Sequence, residues 1–80
     1  MNYNNLIENR SSIPLNIIGV EKADLGELEI AIRYFTEAIE IDPEDPKAYF
    51  NRATLRVKLG DIQGARDDFV NANKLTKWKS

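Results

Sequence analysis

The chain has 80 residues, with 11 basic and 13 acidic side chains and a formal net charge of −2. This length allows one small domain with a limited core, and a hydrophobic content of 42% argues against disorder. The chain has no cysteine and no histidine, which excludes disulfides, thiolate or imidazole metal ligands, and catalysis by a cysteine or histidine nucleophile.

Sorting signals are not evident. The first residues lack the basic start and apolar core of a signal peptide, and no apolar run approaches membrane-spanning length. We therefore expect a cytoplasmic protein that does not enter a membrane.

The charges are unevenly distributed along the chain. Residues 1–45 carry three basic and ten acidic side chains, whereas residues 46–80 carry eight basic and three acidic ones. One interpretation is two solvated faces that differ by accident. The other is an electric dipole that favours stacking of the acidic end on the basic end, or that orients a charged partner.

Residues 1–11 form an N-terminal segment of their own. Tyr3, Leu6, Ile7 and Arg10 have helical spacing, which predicts a short amphipathic helix. Because so short a helix is stable only when it packs on something, the segment is either docked or a frayed tail.

The next helix is predicted from Ser12, as N-cap, to about Leu25, with Pro14 in its first turn. It is apolar on two sides, with Leu15, Ile18 and Gly19 on one and Ile13, Ile17 and Val20 on the other. A helix of this kind is not expected to face water. The N-terminal segment, a second copy of the chain, or a ligand should cover the second side.

A second helix is predicted over residues 27–41, with an inward stripe of Leu28, Ala31, Phe35 and Ala38. The sequence Asp-Pro-Glu-Asp-Pro that follows (42–46) ends this helix and caps the next one through Asp45. Its three carboxylates could suggest a cation site, but the length and the glycine of a calcium loop are missing, so we interpret it as a turn and a cap.

The third and fourth helices are predicted over residues 47–59 and 62–77. Three isoleucines of the second helix are replaced by polar or small residues in the fourth: Gly64, Arg66 and Asn73. We expect the fourth helix to close the array, with Trp78 packing back as an end plug.

The two halves repeat with a period of 34 residues, which carries Gly26 onto Gly60. The same offset joins Leu25 to Leu59, Ala31 to Ala65, Phe35 to Phe69 and Ala38 to Ala72. This pattern resembles the tetratricopeptide repeat (TPR) family, with one repeat over residues 12–45 and another over residues 46–80. Lys22, Arg56 and Lys77 depart from the family pattern, but the spacing of small and large residues is intact.

The resemblance implies an all-α fold of two tandem helix–turn–helix repeats, a short α-solenoid with a candidate N-terminal extra helix. It also implies a non-catalytic protein–protein interaction module that binds a peptide or helix in a concave groove. The groove positions it implies are Ile13, Asn16, Ile17, Val20, Asp24, Lys47, Phe50, Asn51, Thr54, Val57 and Lys58.

Some members of the family hold the C-terminal carboxylate of chaperone tails with a clamp of lysine and asparagine side chains. Asn51 falls at one clamp position, but Asn16 and Val20 stand where lysine and asparagine are expected. The sequence therefore does not support the clamp, and the apolar lining favours a hydrophobic or helical segment.

No catalytic constellation is visible, and we expect neither an enzyme nor a cofactor or metal site. Asp67 and Asp68 are adjacent in sequence, so on a helix they point apart, and we expect solvated charges. A second hypothesis for function is a homodimeric structural unit that associates through the groove or its oppositely charged ends. A third is weak nucleic-acid binding by Arg52, Arg56 and Lys58, which net negative charge makes unlikely as a main role.

Overall fold

The computed structural model describes residues 11–79, with side chains described as far as Lys77. These residues form four α-helices and no strand: α1 (Ile13–Asp24), α2 (Leu28–Ile41), α3 (Pro46–Lys58) and α4 (Ile62–Lys79). The predicted all-α fold of tandem helix–turn–helix repeats is confirmed. The predicted docking of residues 1–11 and the Trp78 end plug fall outside the described residues and side chains, so both stay predictions.

The two hairpin turns have the same geometry because each contains a glycine with positive φ, 82° at Gly26 and 86° at Gly60. In the first turn, the Gly26 and Glu27 N–H groups donate to the carbonyls of Ala23 and Lys22. The second turn repeats both bonds one period later. This pair of bonds is a Schellman motif, which satisfies the last carbonyls of α1 and α3 and reverses the chain.

A side-chain cap begins α3 as the sequence predicts, but the predicted Ser12 cap of α1 does not form. Asp45 accepts a hydrogen bond from the Lys47 N–H at 3.0 Å and so caps α3. Ser12 occupies the N-cap position of α1, yet its hydroxyl makes no cap bond and instead donates to Asp45 Oδ2 at 3.4 Å. Ser11 Oγ accepts from the Ile13 N–H instead. Ser12 is thus buried between the two repeats, a tertiary role that the local pattern does not show.

The helices stack in chain order: α1 packs on α2, α2 on α3 and α3 on α4, with a smaller contact between α1 and α3. Alanines at the helix crossings, among them Ala31, Ala38 and Ala53, are fully buried. They allow the helices to approach closely. Gly19 allows a close approach of α1 to α2, because a Cβ built there would lie 2.6 Å from Cε1 of Phe35.

The two equivalent phenylalanines differ in burial. Phe35 is 1% exposed, since it packs with Leu55 of α3 in the main core cluster. Phe69 is 38% exposed, and its ring centroid lies 6.1 Å from that of Phe50. The 34-residue period makes the two positions equivalent, but no described helix covers α4 as α3 covers α2.

Candidate functional site

A groove of about 350 Å³ runs between α1 and the start of α3. We call it the α1–α3 groove. Its lining consists of Ile13, Asn16, Ile17, Val20, Glu21, Asp45, Lys47 and Asn51. Six of the predicted groove residues therefore lie side by side, and Glu21 and Asp45 are two lining residues that the sequence analysis did not assign to it.

The wall that α1 contributes is apolar and open to solvent. Ile13 is 61% exposed, Ile17 54% and Val20 43%. Apolar side chains gathered on one face in this way are typical of a surface that another molecule covers. Their neighbours in the groove carry both signs of charge, since Lys47 is basic and Glu21 and Asp45 are acidic.

Asn16 is one of the residues that line the groove, and it has an unsatisfied polar atom. The residue is only 9% exposed, and its Oδ1 has no hydrogen-bond partner among the residues that the structure describes. A buried amide oxygen without a partner costs about 1–3 kcal/mol. One explanation for such an atom is that a ligand supplies an N–H group, which donates a hydrogen bond to it.

The other five predicted groove residues lie elsewhere. Phe50 and Val57 line a second groove, of about 450 Å³, between α3 and α4. Asp24, Thr54 and Lys58 are exposed and line neither groove, and the Thr54 hydroxyl bonds back to the carbonyl of Phe50. Of the eleven groove positions implied by the repeat, six thus lie in the α1–α3 groove, two in the second groove and three in neither.

We call the second groove the end groove, because it lies on the face of α3 and α4 that points away from the first repeat. Its lining is mostly apolar and consists of Phe50, Val57, Ile62, Ala65, Arg66, Phe69, Val70 and Asn73. The sequence predicts a polar face here, from Arg66, Asn73 and Gly64. The polar side chains are present, but exposed apolar ones such as Phe69 and Val70 stand among them.

A buried ion cluster joins α3 to α4. Asp68 is 1% exposed and accepts bonds from Arg52 Nε at 2.9 Å, Arg52 Nη2 at 2.8 Å and Arg56 Nη1 at 2.9 Å. The hydrogen bond to Asp68 raises the pKa of Arg52. The expectation that Asp68 is a solvated charge is therefore wrong, since the helix hairpin turns it onto two arginines twelve and sixteen residues away.

This cluster also bears on the nucleic-acid hypothesis. Arg52 and Arg56 are the core of the predicted basic patch, and both are engaged by Asp68. Their guanidinium groups are largely withdrawn from solvent, with side-chain exposures of 14% and 25%. Phosphate contacts need accessible cations, so the geometry adds no support to nucleic-acid binding.

The described residues contain no group of three or more acidic residues placed to hold a metal ion. None of their helices is both long and apolar enough to cross a membrane.

The chain is an α-solenoid repeat protein. It has two stacked helical hairpins, a repeat of 34 residues and a groove between α1 and α3, the first helix of each repeat. Comparison with known proteins gives the family. Two profiles, both described as tetratricopeptide repeat, match residues 15–45 and 34–67. The chain belongs to the tetratricopeptide repeat family.

Several relatives are similar to this chain. Tetratricopeptide repeat protein 36 of Danio rerio is 38% identical over 65 residues, which cover 81% of this chain and 35% of that protein. An uncharacterized protein of Methanocaldococcus jannaschii is 41% identical over 59 residues, covering 74% of this chain and 69% of that one. Hsp70-Hsp90 organizing protein 2 of Arabidopsis thaliana is 50% identical over 38 residues, 46% of this chain and 7% of that protein. No solved structure matches significantly.

The chain spans about a third of the length of the tetratricopeptide repeat protein 36 relatives that it matches. Repeats of this family generally mediate protein–protein interaction, and the family and these relatives indicate a non-catalytic repeat protein.

Proposed function

We propose that this chain is a protein-interaction module that binds an extended peptide segment in the α1–α3 groove. The observation that carries the proposal is the unpartnered Oδ1 of Asn16, a residue that lines this groove beside exposed apolar side chains. An extended peptide brings free backbone N–H groups, and one of these would satisfy that oxygen.

The same atom favours an extended segment over a helix. In a helix, the backbone N–H groups beyond the first turn already bond within the helix, so they cannot donate to Asn16. Asn51, across the groove on α3, has a side-chain amide that would bond the backbone of the same segment. Ile13, Ile17 and Val20 would contact its apolar side chains.

The charges around the groove favour a ligand of mixed character. Lys47 is the one cation among the residues that line it, beside the carboxylates of Glu21 and Asp45. A clamp for a terminal carboxylate needs several converging cations, so internal peptide segments fit this groove better than chain ends. The similarity to the Arabidopsis Hsp70-Hsp90 organizing protein 2 does not change this, since it covers less than half of the chain.

The test begins with selection from a displayed library of random linear peptides on the immobilised full chain. A selected peptide is then synthesised with a free and with an amidated C-terminus and titrated into the ¹⁵N-labelled chain. We expect amide shifts at Ile13–Val20 and Lys47–Asn51, and equal affinity for both peptide forms. Loss of binding on amidation would favour the carboxylate clamp, and shifts confined to Phe69 and Val70 would place the ligand in the other groove and overturn the proposal.

A variant pair sharpens the test. Asn16→Leu should weaken the selected peptide about tenfold, the equivalent of about 1.4 kcal/mol for one hydrogen bond. Val70→Glu, on the end groove, should leave the affinity unchanged. Equal effects of the two substitutions would show that Asn16 has no direct part in binding.

A further inference from the structure

The 34-residue period makes the end groove comparable with an interface inside the same chain. Residue i of the first repeat corresponds to residue i + 34 of the second. On the first repeat, the face formed by Leu28, Ala31 and Phe35 is covered by α3 through Leu55. The corresponding face of the second repeat, with Ile62, Ala65 and Phe69, is the open end groove. The end groove therefore has the shape of a seat for one more helix of the α3 type.

Such a helix exists at the other end of the molecule. Helix α1 corresponds to α3 through the same offset, and its outer side is uncovered by any described residue. Pro14 and Glu21 are exposed, whereas their counterparts Ala48 and Leu55 are buried. The outer side of α1 is thus the part of the repeat that would enter a seat of this kind.

We propose that two copies of this chain stack head to tail, with the outer side of α1 of one copy in the end groove of the other. The stacking follows the register in which α3 packs on α2. The proposal concerns the outer side of α1 and the end groove, which share only Glu21 with the lining of the α1–α3 groove, and it does not rest on the peptide-binding function.

Charge complementarity commits the end groove to a second copy. Within the chain, Ile32 packs against the cluster that Leu55 forms with Phe35. In the contact between two copies, Arg66 of one copy takes the place that Ile32 has within the chain. Glu21 on α1 of the other copy takes the place of Leu55. An apolar contact is therefore replaced by a pair of opposite charges, and each is exposed in the single molecule.

A second pair changes in the opposite sense. Within the chain, Arg52 Nη1 donates to Thr36 Oγ1 at 3.0 Å. In the contact between two copies, Val70 of one copy takes the place of Thr36, and it is 46% exposed in the single molecule. Ile18 on α1 of the other copy takes the place of Arg52. A polar contact is thus replaced by an apolar one, and both sides change together.

The distribution of net charge acts in the same direction. The first 45 residues carry a large excess of acids and the last 35 a large excess of bases. Head-to-tail stacking places the acidic end of one copy on the basic end of the next, whereas any symmetric dimer through one end would oppose like charges. Because the contact joins two different surfaces and leaves one of each free, it continues into an open series.

The experiment measures the weight-average mass of the full chain by sedimentation equilibrium over roughly a hundredfold range of concentration. We expect the mass to rise continuously beyond that of a dimer. A chain that stays monomeric throughout, or that stops at the dimer, would overturn the proposal.

Two surface variants then separate the faces. Glu21→Arg changes the outer side of α1, and Val70→Glu changes the end groove. Each substitution alone should weaken association by at least about tenfold. Mixed together, they retain one compatible pair of faces and should form a 1:1 complex and nothing larger. If the mixture behaves like the separate variants, the stacking register is wrong.

A charge exchange supplies a rescue. The chain with both Glu21→Arg and Arg66→Glu should associate more tightly than either single variant, while circular dichroism shows that all variants stay helical. A chain without residues 1–10 tests the competing occupant. If only that shortened chain associates, the N-terminal segment covers one of the faces and the proposal for the full chain fails.

Discussion

Arg52 and Asp68 form a two-bond ion pair between the last two helices, with both carboxylate oxygens of Asp68 within 2.9 Å of Arg52 nitrogens. In the first repeat, the corresponding positions hold Ile18 and Tyr34. The second repeat therefore joins its helices with a charged cluster where the first uses uncharged side chains. Because the cluster raises the already high pKa of Arg52, the arginine stays charged at any pH at which the protein would be studied.

Removing the carboxylate of Asp68 should be severely destabilising. Asp68→Asn leaves the buried guanidinium groups of Arg52 and Arg56 without a counter-charge, which costs about 3 kcal/mol. That is a large share of the roughly 4–12 kcal/mol expected for a domain of this size. The loss in free energy of unfolding is measured by urea titration, with circular dichroism as the signal.

The neighbouring carboxylate provides the matched control. Asp67 is exposed, and Asp67→Asn should change the free energy of unfolding by less than about 0.5 kcal/mol. Equal losses for the two variants would mean that net charge, and not the ion cluster, is responsible.

The two equivalent phenylalanines should differ in their contribution to stability. Phe35→Ala should cost about 3–5 kcal/mol, because the ring is fully buried under α3. Phe69→Ala should cost about 1–2 kcal/mol, since much of its ring is exposed. Both values come from urea unfolding at a concentration low enough to prevent association. A Phe69 loss as large as that of Phe35 would show that the end groove is covered in the isolated chain.

Gly19 should tolerate no side chain while Phe35 is present. In Gly19→Ala the new methyl group would overlap the Phe35 ring, at an expected cost of about 1–3 kcal/mol despite the better helix propensity of alanine. Thermal unfolding of the single variant and of Gly19→Ala with Phe35→Leu measures the coupling. The overlap predicts that the second change costs less in the Gly19→Ala background than alone, and simple additivity would contradict it.

Asn16 should oppose stability. Because its Oδ1 is buried without a described partner, Asn16→Leu removes an unsatisfied acceptor and should raise the free energy of unfolding by about 1 kcal/mol. The same substitution should weaken binding of a selected peptide, because it removes the acceptor for the peptide N–H. A lower melting temperature for Asn16→Leu would instead indicate that the amide is satisfied in the free protein, which would remove the main support for the groove as a binding site.

Local signals in the sequence determined much of the fold. The glycines at 26 and 60 mark the two turns, because only glycine readily adopts the positive φ found there. Asp45 and Pro46 mark the start of α3, and alanines at a helical spacing mark the crossings. Each of these signals depends on backbone sterics and side-chain size within a few residues. Together with the 34-residue period, they therefore predict the helix ends to within about two residues.

Tertiary structure alone decided which equivalent positions are covered. The repeat makes Phe35 and Phe69 look alike, but only Phe35 has a helix above it. Asp68 looks like a surface charge until the hairpin folds it onto two arginines, and Asn16 looks like an ordinary groove residue until its oxygen proves buried. Periodicity reports which side of a helix a residue occupies, whereas burial and charge pairing depend on elements that a different part of the chain brings to that side.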